Sequence, residues 1–105
     1  MGIGETANFS FVHSNMNFKY PEKLKKHLLT EALVSTMNEM SAQDEKWGAD
    51  RELSPFMWNA ILVEEVGEVS KAILEKEGLR EELVQVAAVA LQWIENIDRN
   101  RGTGR

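Results

Sequence analysis

Glu64, Glu65 and Glu68 place three carboxylates in a segment whose other residues are almost all apolar. On a helix they fall within an arc of about 100° and share one face. Glu65 also stands three or four residues from Ile61, Leu62 and Val69, and seven from Trp58 and Ala72, inside the stripe that should bury the helix. Like charges at this spacing destabilise an exposed helix by about 0.2–0.5 kcal/mol per pair, and burying an uncompensated charge costs much more. Basic side chains, protonation or a metal ion are the candidate compensations. Lys71 and Lys76 are near, but neither can satisfy all three acids while remaining on that face, so a metal ion fits best.

A second set follows at Glu81-Glu82-Leu83-Val84-Gln85. With Val89 between them, Glu82, Gln85, Gln92 and Asn96 form a mainly polar stripe at spacings of three, four or seven. Across an antiparallel helical hairpin, Glu82 can face Glu65 and Glu68. Carboxylate and amide oxygens suit a hard divalent cation, Mg²⁺ first and Mn²⁺ second. A di-iron bundle would need Glu-x-x-His pairs, whereas Ser10 and Leu24 stand three positions before His13 and His27.

Three helices must position these groups. Pro21 can open the first, with Leu24, Leu28, Ala32, Ser35, Met37 and Met40 at helical spacing as far as about Lys46. Trp47 to Leu53 reads as a connection, because Gly48 stops one helix and Ser54-Pro55 caps and opens the next. The second helix runs from Pro55 to about Lys76. The third runs from Leu79 to about Arg99, with an expected apolar seam of Leu79, Leu83, Val86, Ala90, Ile94 and Ile97. So short a link makes these two a hairpin. The fold class is therefore all-α: a helical hairpin plus a long N-terminal helix, with residues 1–20 as a flexible arm, 21–99 as a single domain and 100–105 as a frayed tail. The second helix is apolar around most of its circumference, which calls for an oligomeric helical bundle, a homodimer or homotetramer.

A chain of 105 residues holds one compact domain. The absence of cysteine excludes disulfides, thiolate metal sites and cysteine nucleophiles, and suits a reducing cytoplasm. A net charge of −5 argues against a polymeric nucleic-acid partner, which would be gripped through Lys and Arg. No apolar run is long enough to span a membrane.

The pattern Glu65-x-x-Glu68, 13 intervening residues, then Glu82-x-x-Gln85 resembles the Glu-x-x-Glu and Glu-x-x-Asp signature of the all-α NTP pyrophosphatases, the MazG-like superfamily. Trp47-Gly48, the run from Ile61 to Glu68 and the run from Glu81 to Ala90 extend the resemblance over about residues 22–98. It implies Mg²⁺-dependent hydrolysis of a nucleoside triphosphate, with a dNTP as the expected substrate, to the monophosphate and pyrophosphate. Glu65, Glu68, Glu82 and Gln85 are the implied metal ligands, and Glu64 is the candidate for orienting or deprotonating the attacking water. Lys46, Arg51, Lys71 and Lys76 are candidates for phosphate contacts, Trp47 for the base, and Gln92 and Asn96 for the sugar or base. Gln85 departs from the family's aspartate: one neutral carbonyl oxygen weakens a two-metal site or reduces it to a single ion. The alternative reading is a non-catalytic module that binds nucleotide or protein through a degenerate metal site.

Overall fold

The computed structural model describes residues 21–28 and 30–101, so the expected arm over residues 1–20 and the end of the expected tail lie outside it. Among the described residues every regular element is helical. The single first helix expected from Pro21 to Lys46 is instead two elements: a 3-10 helix, Glu22–His27, and an α-helix, α1, Glu31–Trp47. Thr30 accounts for the boundary. It directly precedes α1, where a hydroxyl residue is favoured, and its hydroxyl donates to the His27 carbonyl at 3.3 Å, a local bond that competes with helix continuation.

The α1 helix includes Trp47 and stops at Gly48, whose φ of 94° lies in the region open to glycine and whose N–H bonds the Asp44 carbonyl at 2.8 Å. The second α-helix, α2, is Pro55–Glu75: Ser54 Oγ accepts the Met57 N–H at 3.2 Å, and Pro55 fills the first turn as the sequence indicates. The third, α3, is Leu79–Arg99.

Between α2 and α3 the chain makes a Schellman turn. Glu77 N–H reaches the Ala72 carbonyl at 3.1 Å and Lys76 N–H the Ile73 carbonyl at 3.3 Å, with Lys76 itself left-handed at φ 59°. A lysine there carries the Cβ–carbonyl clash that glycine lacks. Lys76→Gly should therefore stabilise the fold by about 0.5–1 kcal/mol, read as a higher urea midpoint at unchanged slope. An unchanged midpoint would show that the turn imposes no strain on the lysine.

Helices α1 to α3 belong to one compact unit that begins at Glu31, and the described residues before it fall in a separate one. In the helical unit α3 packs against both α2 and α1. The face it turns inward differs from the expected seam. Leu79, Leu83, Ile94 and Ile97 are exposed, whereas Ala88, Val89, Gln92 and Asn96 are buried. From α1 the buried side chains are Thr36 and Gln43, and from α2 they are Trp58 and Ala72. The interior of this unit is thus half polar, and much of its aliphatic surface faces outward. A polar interior needs internal hydrogen-bond partners, and these build the site.

Candidate acidic site

Glu65 occupies the face of α2 that meets the rest of the unit and is half-buried, while its neighbours Glu64 and Glu68 are exposed. Glu82, in the first turn of α3, is also half-buried. Burial raises the Glu65 carboxyl above the ordinary glutamate range, and the charges of Glu82, Glu64, Glu68 and Glu39 raise it further, in that order. Across the α2–α3 hairpin the charge of Glu82 is thus the largest of the four acting on Glu65. Glu39 is not among the acids that the sequence pattern singles out. It lies on α1, three residues after buried Thr36 and four before buried Gln43, and that polar spacing is the signal that could have found it.

Gln43 ties α1 to α3 at the site. Its Nε2 donates to Glu39 Oε2 and to Gln85 Oε1, both at 3.0 Å. Gln85 was expected to direct its single carbonyl oxygen to a metal; here that oxygen accepts a hydrogen bond from α1. An amide suits this position better than a carboxylate would in one respect, since it adds no charge beside Glu39.

Asn96 departs from its expected role. Its Oδ1 accepts from Trp58 Nε1 at 2.6 Å and from the Leu53 N–H at 3.1 Å, and its Nδ2 donates to Glu52 Oε1 at 2.9 Å. Only 5% exposed, it is a tie between α3, α2 and the connection before α2 rather than a contact for sugar or base. Glu52 in turn accepts from Asn100 and Arg99, bonds that together with Asn96 hold its carboxyl below the ordinary range. Asn100 is thus held at the end of α3.

Gln92 behaves differently. It is 7% exposed, its Oε1 is buried, and among the described residues that oxygen has no hydrogen-bond partner. It lines a small pocket with Asp44, Gly48, Arg51, Trp58 and Glu95. Arg51 lies over the Trp58 ring at 5.1 Å, a cation–π contact that leaves its guanidinium at the pocket. Burial raises the Glu95 carboxyl; Arg99 opposes the shift, and Asp44, Asp50 and Asp98 reinforce it. Lys46 lies over the exposed Trp47 ring at 4.9 Å. Lys71 and Lys76 are exposed along α2 and at its end.

Glu39, Glu64, Glu65, Glu68 and Glu82 have no ion-pair partner among the described residues. The donor chemistry, oxygen only and electrostatically unrelieved at Glu65, fits a hard cation. The carboxylate tips stand apart: among the described residues no three acids or histidines are grouped to grasp an ion together. Comparison of the chain with protein-family models, with curated proteins and with solved structures gives no match in any of the three.

Proposed function

We propose that this chain is a Mg²⁺-dependent nucleoside triphosphate pyrophosphohydrolase that clears nucleotides from the cytoplasmic pool as a homo-oligomer, releasing monophosphate and pyrophosphate. One observation carries the reading: the half-buried Glu65 feels the charges of acids on three helices, which add to burial in raising its carboxyl, with no basic partner among the described residues. Such repulsion works against a marginally stable fold, and a bound cation would relieve it. Glu65, Glu68 and Glu82 would hold Mg²⁺, with Mn²⁺ as a substitute. When bound, the ion supplies charge neutralisation at phosphate oxygens and acidifies a water.

The chain's own groups supply the rest. Glu64, exposed beside the ligands, orients or deprotonates the attacking water. Gln43 fixes the Gln85 amide and Glu39 relative to one another. Gln92 lies ten residues beyond Glu82 on α3, about 15 Å along the axis, which suits an extended nucleotide whose phosphates lie at the acids and whose nucleoside end lies near Gln92 and Arg51. A dNTP is the expected substrate, and Lys46, Trp47 and Lys71 are further contact candidates.

A second reading, a nucleotide-binding module without turnover, is favoured by one feature: the Gln85 oxygen is already engaged by Gln43. Incubating the purified protein with a panel of dNTPs and NTPs plus Mg²⁺ separates the two. Pyrophosphate and monophosphate in equal amounts support hydrolysis. Calorimetric binding without pyrophosphate, from protein shown to be folded, overturns it in favour of the binding module.

A further inference from the structure

The outer face of α2, turned away from Trp58 and Ala72, carries Phe56, Ala60, Val63, Gly67, Ser70 and Leu74. Their spacings alternate four, three, four, three, four, the period of a helix seam that packs along another helix. All six are exposed, Phe56 at 88%, Leu74 at 82% and Val63 at 59%. Gly67 is the decisive member. A glycine in the middle of a helix is destabilising by about 0.5–1 kcal/mol relative to alanine, and a Cβ built at Gly67 meets nothing within 4 Å. Packing among the described residues therefore supplies no reason for it. A second backbone crossing closely at that point does.

The flanks of the seam identify the second backbone. On one side lie Val66 and Ile73, both exposed and apolar; on the other lie Glu64 and Lys71, seven residues apart and about 10.5 Å along the axis, neither with an ion-pair partner among the described residues. In an antiparallel pair of identical helices each flank meets the same flank of the other copy. With the two-fold axis at Gly67, residue 64 of one copy lies level with residue 70 of the other, one position from Lys71. Both Glu64–Lys71 pairs then form, and the apolar flanks meet each other. A parallel two-fold pair would instead set the charged flank of each copy, Glu64 and Lys71, against the apolar flank of the other, Val66 and Ile73, and form neither ion pair. The outer stripe of α3 is the competing surface, but its flanking charges are already engaged: Arg80 with Ser35 at 3.1 Å and Asp98 with Arg101 at 3.3 Å.

We infer that a second copy of this chain docks antiparallel on the outer face of α2, with the two-fold axis at Gly67, and brings its Lys71 to Glu64 at the edge of the acidic site. The acids of each protomer thereby gain a cation that its own described residues do not supply. This dimer stands or falls separately from nucleotide hydrolysis, because its readout is mass.

Sedimentation analysis of the full chain tests it, with a single chain of 11.9 kDa as the reference mass. The natural protein should sediment as a dimer, or as a larger assembly divisible by two. Gly67→Leu should halve that mass while helical circular dichroism is retained, since the new side chain enters open space within the protomer. Glu64→Lys and Lys71→Glu should each weaken association by about tenfold or more, and the double swap should restore it. A monomeric natural protein, an assembly that survives Gly67→Leu, or a double swap no tighter than either single variant would overturn the inference.

Discussion

Glu65→Gln should lose hydrolysis and gain stability in the same protein. The loss follows from removing a charged oxygen from the proposed metal site. It should exceed the roughly 10–100-fold cost of deleting an outer partner of a metal ligand, and it should be read in turnover rather than in substrate affinity alone. The gain follows from the electrostatics of Glu65, whose carboxyl is raised by burial and by four neighbouring acids. A carboxyl raised in the folded state binds its proton more tightly there than in the unfolded chain. Its contribution to stability is fully present below the ordinary value of 4.5 and is lost as pH rises through the raised value. At neutral pH the ionised Glu65 is therefore a net burden, and an isosteric amide relieves it. Solvent screens much of the repulsion at a half-buried site, so the relief is on the order of 0.5–1 kcal/mol, the scale of two or three like-charge pairs, or about 2–8 °C in Tm for a unit this small. Titration gives the signature: the Tm advantage of Glu65→Gln should appear above the raised Glu65 value and vanish as pH falls toward 4.5. An advantage independent of pH would sink the assignment of burden to this charge. In Mg²⁺ the order should reverse, because an ion that binds only the folded natural protein stabilises it by mass action.

Some of this architecture is readable in the chain because it is locally encoded. Ser54-Pro55, Gly48 and Gly78 mark helix ends through capping chemistry and left-handed backbone that need no distant partner. The break before α1 is less readable because Leu24, Leu28 and Ala32 continue the apolar spacing straight across it. The inward face of α3 is misread for a different reason. Leu79, Leu83, Ile94 and Ile97 do form an apolar seam, but periodicity states only that a stripe seeks cover, not whether its own chain or another supplies it. The same limit hides Glu39, an acid that looks like solvent-facing polarity until α1 is laid against α3. Glu65 was readable because an acid amid Ile61, Leu62 and Val69 conflicts with its own stripe, and local conflicts of that kind are the trace a functional site leaves in sequence.

Asn96 offers the sharpest case of a role set by distant residues, and its removal should have the largest effect on stability. Asn96→Ala strands two donors at once, the Trp58 indole N–H and the Leu53 N–H, and takes a donor from Glu52. Trp58 is 1% exposed, so its N–H cannot turn to water for replacement. Each buried donor left unsatisfied costs about 1–3 kcal/mol, for an expected loss of about 3–5 kcal/mol in urea denaturation. Trp58→Phe removes a donor together with its need for an acceptor, so in a double-mutant cycle Asn96→Ala should cost less once Trp58→Phe is in place. Asn96→Asp isolates the remaining bond. It keeps the acceptor for Trp58 and Leu53 but sets a second carboxylate against Glu52. In the natural protein the lowered Glu52 contributes stability that is present above 4.5 and lost as pH falls through its lowered value. In Asn96→Asp the facing carboxylates raise one another instead, so acidification through the ordinary carboxylate range should narrow the stability gap between the variant and the natural protein, the raised Glu65 and Glu95 contributing alike to both. Parallel pH profiles for the two would show that Asn96 acts through its acceptor alone; profiles that converge on acidification would show that the Glu52 bond is a working part of the tie that holds α3, the connection and Trp58 in place.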